Sequence, residues 1–165
     1  AMAALMEQAS PGRYRFLVVG KDDAAPYQQQ AKEAGIAERM IWRSTIPEVE
    51  TLYGALDLFV MPAHIEEFGR VALEAMACGA PVISNHGNPV SHAIAEQRNG
   101  CLVRFNNHQA LAKAVLRLLN EPELRAELGQ ESRRTVLHQF NRATSLQRFQ
   151  ALFEKLVSGD PYTSS

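Results

Sequence analysis

Residues 62–84 read PAHIEEFGRVALEAMACGAPVIS. Pro62 stops an apolar run, LDLFVMP, with the length and composition of a buried strand. GRVALEAMACG follows, closed by Gly79, and predicts a helix. APVIS then predicts the next strand. Strand, helix and strand over so short a span make a crossover unit of a parallel sheet. The same stretch carries charge where a core should form. Glu66 and Glu67 lie in the loop after the first strand. Glu74 sits among Val71, Ala72, Leu73, Ala75, Met76 and Ala77.

Upstream, YRFLVVG (14–20) is short, apolar and β-branched, and predicts a buried strand. PYQQQAKEAGI predicts a helix with Pro26 near its start and Gly35 near its end. RMIWR is a further strand, and PEVETLYGAL a helix opened by Pro47 and an acidic first turn. Downstream, NPVSHAIAEQRNG predicts a short helix closed by Asn99-Gly100, and CLVRF a fifth strand. From there HQALAKAVLRLLN, PELRAELGQESRRTVLHQF and TSLQRFQALFEKL all have helical apolar spacing. The expected fold is therefore α/β: a parallel sheet with helices on both faces and a helical C-terminal tail. In such a sheet ligands sit at the carboxyl ends of the strands. The informative turns are then Gly20–Asp23, Arg43–Ile46, Pro62–Gly69 and Ser84–Pro89.

The chain of 165 residues is long enough for one domain with a real core, and 46% hydrophobic with 21% charged residues is ordinary for a globular protein. A net charge of -1 lacks the footprint of a nucleic-acid binder. Cys78 and Cys101 are too few for a disulfide scaffold, are not spaced as a metal site, and read as buried thiols of a reducing compartment. No membrane span or signal-peptide pattern is visible. Gly20 follows a strand, but neither a dinucleotide-binding glycine pattern nor a Walker A loop follows it; it serves equally well as a strand end or a close backbone approach.

The acids of residues 62–84 have two readings. On charge pattern alone they are solvated groups that favour a helix N-terminus. Alternatively, the free N–H groups at the helix start form an anion site suited to phosphate, and Gly69, without a Cβ, lets a bulky phosphate come close. Glu74 would then be supplied with donors by two neighbouring hydroxyls such as a ribose diol.

The motif decides between them. E-E-F-G-R-V-A-L-E-A-M-A-C-G-A-P-V-I resembles the pattern of retaining GT-B glycosyltransferases of family GT4. That pattern has two glutamates with seven residues between them, F-G after the first acid, and E-A-M-A-x-G-x-P-V-I at the second. LDLFVMP, NGCLVRF, ALAKAVLRLL and PELRAELGQESRR resemble the family's flanking order, so the likeness runs from Arg15 to Val157. It implies a Rossmann-like C-terminal domain, one half of a GT-B fold, that binds a nucleotide-diphosphate sugar as donor substrate with no permanent cofactor and no metal. By resemblance Glu66 contacts the donor sugar and is the catalytic carboxylate. The backbone of Phe68, Gly69, Arg70 and Val71 cradles sugar and diphosphate, and Glu74 holds the ribose. Gly20 and Lys21 are further donor-binding candidates, with Arg43 at the strand end (41–43) where the family contacts the base.

There are departures. Glu67 stands where the family often has Pro, and HGNPVSHAI replaces G-G-x-P-E, with His92 in the acid's place. That His, and VVGKD, resemble lipopolysaccharide-core glucosyltransferases. His64, His86 and His92 each have a surface or helix-packing reading, which is the preferred one for His64.

The implied organisation is an N-terminal extension or cloning remnant (1–13), the nucleotide-sugar-binding domain (14–157) and a disordered tail (158–165). The family's acceptor domain and its phosphate-binding Arg and Lys lie upstream of the matched region, which implies a fragment or one subunit of a split enzyme. The implied enzyme is cytoplasmic, binds no nucleic acid, and meets the inner face of a membrane only through the absent domain. A nucleotide-sugar epimerase of the same architecture, or a non-catalytic flavodoxin-like module with Asp22-Asp23 at the first strand's end, are the alternatives; the second leaves the 66–83 match unexplained.

Overall fold

The computed structural model describes residues 14–62 and 69–158. Its strands are β1 (Phe16–Val19), β2 (Met40–Arg43), β3 (Phe59–Met61), β4 (Val82–Asn85) and β5 (Cys101–Val103). Its α-helices are α1 (Ala25–Glu33), α2 (Val49–Ala55), α3 (Arg70–Ala77), α4 (His108–Asn120), α5 (Pro122–Gln139) and α6 (Arg142–Ser158). Every ladder is parallel: Phe16 pairs with Met40, Phe59 with Val82, and Ile83 with Cys101. The α/β alternation expected from the sequence is present, and so is the helical end.

The sheet is built in two hydrogen-bonded pieces, β1–β2 and β3–β4–β5. Phe16 of β1 packs both with Ala31, Ile36 and Met40 and with the cluster around Ile83, so an apolar layer joins the pieces. β4 is buried along its whole length, as a central parallel strand should be. Its successive side chains point to opposite faces. Val82 packs with Tyr53, Ala72, Leu73, Met76 and Val136, whereas Ile83 packs with Leu111, Val115, Leu118 and Leu128. Helices α2, α3 and part of α5 cover one face; α4 and the start of α5 cover the other.

Glycines end the helices as the sequence suggests. Beyond α3, Gly79 takes φ 84° while its N–H donates to Met76 O (3.0 Å) and Ala80 N–H donates to Ala75 O (3.0 Å), a Schellman closure. Gly35 ends α1 in the same way at φ 67°, with Ile36 N–H donating to Ala31 O at 2.9 Å.

One expectation fails. Residues 88–100 form no α-helix: a 3₁₀ turn, Pro89–His92, is followed by turns and a bridge between Glu96 and Gly100. Asn99 is not a left-handed helix cap, since the non-glycine residues with positive φ are Gln97 and Asn106 among those described. Its buried side chain instead accepts from Ala95 N–H (2.7 Å) and donates to Ala93 O and Thr135 Oγ1 (2.9 Å each). Polar bonds to α5 hold this segment, and that tertiary demand outweighs the local helical pattern.

Helix α5 crosses the end of α3 at very short range. A Cβ on Gly129 would lie 2.3 Å from Gly79 O, so only glycine fits there. Arg133 Nη1 donates to Ala77 O, Ser132 Oγ donates to Asn99 O, and Arg125 donates to the last carbonyls of α4, Leu118 O and Leu119 O, while pairing with Asp57 at 3.1 Å. α6 leaves Leu146, Phe149, Phe153 and Leu156 exposed. Ser158 is its last residue, so the helix reaches the first position assigned to the tail.

Candidate functional site

The site is built on the start of α3. Gly69 is its N-cap at φ 70°, a conformation that favours glycine, and no side chain among the described residues caps the helix. The first intrahelical bonds run from Ala72 N–H (3.0 Å) and Leu73 N–H (3.2 Å) to Gly69 O, so the amides of Arg70 and Val71 precede them. The reason for glycine differs from the one expected. A Cβ at this position would lie 2.8 Å from Val90 Cβ and 3.4 Å from both Asn88 Oδ1 and Met61 Cε. The space that a missing side chain would offer a phosphate is filled by the loop after β4.

Glu74 lies one turn further along the helix. Its side chain is 41% exposed, so it is neither a fully buried acid nor a freely solvated one. The donors that burial demands come from the protein: Arg70 Nε stands 3.3 Å from Oε1, and Tyr53 Oη donates to Oε2 at 3.4 Å. Tyr53 belongs to α2, is 7% exposed, and stacks edge-on against Phe59 of β3 with ring centroids 5.7 Å apart. Burial, then the charge of Glu74 and the hydrogen bond to it, raises the Tyr53 phenol above its ordinary value of 10.0.

The loop after β4 backs this helix start. Ser84 Oγ donates to Met61 O at 3.2 Å, and Asn88, 1% exposed, accepts from Val90 N–H at 3.1 Å. His86 and His92 are exposed. At the other piece of sheet Gly20 N–H donates to Arg43 O at 3.0 Å, which joins two of the expected positions at the carboxyl ends of β1 and β2. Gly20 has no atom within 4 Å of a would-be Cβ and keeps negative φ, so its own packing does not demand glycine. Lys21 is exposed beside it, and Arg43 Nη1 turns back to Trp42 O at 2.8 Å. Glu66 and Phe68, with His64 and Glu67, lie outside the described residues.

A backbone amide pair at a helix start, followed by a held, half-exposed carboxylate, can take a phosphate and a pair of hydroxyls on one ligand. Comparison with known proteins identifies the family. The family model described as glycosyl transferases group 1 matches residues 1–135. The chain belongs to the group 1 glycosyl transferases. The group 1 chain is 32% identical over 139 residues to a D-inositol 3-phosphate glycosyltransferase of Corynebacterium glutamicum, covering 80% of this chain and 33% of that protein. It thus spans about a third of the length of the curated relatives it matches. Among solved structures it superposes on sucrose-phosphate synthase from Thermosynechococcus elongatus with a TM-score of 0.82 at 29% identity, covering 96% of this chain and 42% of that one. Anabaena HepE in complex with UDP-glucose shares the fold, with a TM-score of 0.82 at 22% identity over 93% of this chain and 44% of that one.

In the group 1 domain the sequence pattern finds the helix and its acid but misses Tyr53 and Asn88. Tyr53 is 21 positions from Glu74, and no spacing rule links them. A tyrosine in the helix just before the strand that feeds the motif is the only trace it leaves in the sequence.

Proposed function

We propose that this chain is the donor-binding half of a retaining glycosyltransferase, one that transfers a hexose from a nucleotide-diphosphate sugar to a glycan or lipid-linked acceptor. The observation that carries the reading is Glu74, held between Arg70 and Tyr53 with part of its carboxylate open, on the helix whose leading amides belong to Arg70 and Val71. Glu74 takes the ribose hydroxyls. The backbone from Phe68 to Val71 takes the donor sugar and diphosphate, and Glu66 contacts the sugar as the catalytic carboxylate. Gly20 and Lys21 are further donor-binding candidates, and the strand end at Arg43 is the candidate contact to the base. The relatives' activity on inositol 3-phosphate and the UDP-glucose held by HepE support this class of reaction.

Charge at α3 supports it too. Arg70 is the first residue of the helix, the wrong sign for the helix dipole, and an Arg ahead of a Glu at i,i+4 is the weaker order of that pair. Neither arrangement is best for the helix alone, and a cation at the helix start suits a diphosphate placed beside it. Catalysis then rests on stabilising the leaving diphosphate and positioning the acceptor. This domain supplies the first, and an acceptor domain, in the same chain or in a partner subunit at the inner face of a membrane, supplies the second.

The test is titration calorimetry with UDP, GDP and ADP. One of them is expected to bind saturably, and Glu74→Ala to weaken it about tenfold or more, the worth of charge-assisted hydrogen bonds. Absence of binding by all three in the two-domain enzyme, which includes the family's upstream phosphate-binding Arg and Lys, would remove the reading. Retention is checked in the two-domain enzyme by the anomeric configuration of the product in NMR.

A further inference from the structure

We propose that Tyr53 is a positioning residue for the donor site: its hydroxyl fixes the carboxylate of Glu74 so that the remaining lone pairs face the two ribose hydroxyls. The inference rests on the ribose role given to Glu74 above.

An ionised carboxylate has about four acceptor positions on its two oxygens. Tyr53 Oη occupies one on Oε2 and Arg70 Nε one on Oε1, which among the described residues leaves one position on each oxygen. Two acceptors side by side match a vicinal diol, which donates two hydrogen bonds.

The two protein donors differ in how well they can set that direction. The Arg70 side chain is 85% exposed, and an ion pair so placed is loose. Tyr53 is 7% exposed, and its ring is fixed by Phe59 from a neighbouring strand. A phenylalanine would fill the same space with the same ring, so packing does not call for the hydroxyl. Its contact of 3.4 Å is long for a hydroxyl donor.

Tyr53→Phe in the full chain tests the proposal, because it removes one oxygen and keeps the ring. Calorimetry would compare the best-binding of UDP, GDP and ADP with its 2′-deoxy counterpart, in wild type and variant, beside thermal denaturation. Wild type is expected to prefer the ribonucleotide. Tyr53→Phe is expected to weaken ribonucleotide binding about three- to tenfold, to leave the 2′-deoxy form within about twofold, and to keep the melting temperature within a few degrees. In a Glu74→Gln background the same change is expected to have no further effect, which a packing role would not produce. Equal weakening of both nucleotides, or no change in either, overturns the positioning role while the donor site stands. No ribose preference in wild type overturns the ribose assignment itself, and the proposal with it.

Discussion

At Gly69 the backbone holds φ 70° and the neighbouring Val90 Cβ comes within 2.8 Å of where a side chain would begin. Gly69→Ala is therefore a folding mutation first and a binding mutation second. The left-handed conformation costs about 1–2 kcal/mol for a residue with a Cβ, and the added contact costs about 1 kcal/mol or more. A loss of about 2 kcal/mol or more is expected in denaturant unfolding, whether or not nucleotide is present. Tyr53→Phe should behave in the opposite way, with its effect seen in binding. The two cysteines also separate at this scale. Cys101 is 8% exposed and burial raises its thiol above the usual 9.0, whereas Cys78 is only partly buried. Maleimide at neutral pH is expected to label Cys78 well before Cys101, as mass spectrometry of the peptides would show.

The elements differ in how much of them the sequence betrays. β4 and α3 are plain because their cause is local: a continuous apolar run for a strand covered on both faces, and Gly79 in the left-handed closing position. Residues 88–100 mislead because their cause is distant. Asn99 spends its side chain on Ala93, Ala95 and Thr135, and Ser132 reaches back to Asn99 O, so α5 dictates the shape of a segment some 30 residues earlier. Asn99→Ala removes three side-chain hydrogen bonds, one of them to the carbonyl of buried Ala93, and a loss of about 1–3 kcal/mol is expected by thermal or denaturant unfolding. The candidate site divides along the same line. Its helix, its acid and its opening glycine belong to one short motif and are readable. Tyr53 comes from another helix, and its meeting with Glu74 exists only after α2 and α3 have packed against β3 and β4. Gly69 is readable as essential, yet the pressure on it comes from the loop after β4, which the sequence does not show.

For the molecule as a whole, the two raised acid groups act together at alkaline pH. Tyr53 and Cys101 both keep their protons longer when folded than when unfolded. Their stabilisation is complete below the unfolded values, 9.0 for the thiol and 10.0 for the phenol, and is lost as pH rises through the folded ones. The contribution of these groups to the melting temperature is expected to be level up to about pH 9 and to fall beyond it. Cys101→Ala should flatten the first part of that fall and Tyr53→Phe the later part, in scans at stepped pH.

The contact of Gly129 with Gly79 bears on how such a domain can be recombined. The two glycines are 50 positions apart in the chain, yet a side chain at the later one would strike the backbone of the earlier. A crossover with a relative anywhere between them draws the two halves of this contact from different parents. Such a chimera inherits a seated α5 only when the incoming parent also carries glycine at the position of Gly129. The demand falls on position 129 alone, because the atom it meets at 79 is a backbone carbonyl oxygen that any residue would present, so the turn that closes the helix bearing the proposed donor site decides which residue the later half of the chain must bring.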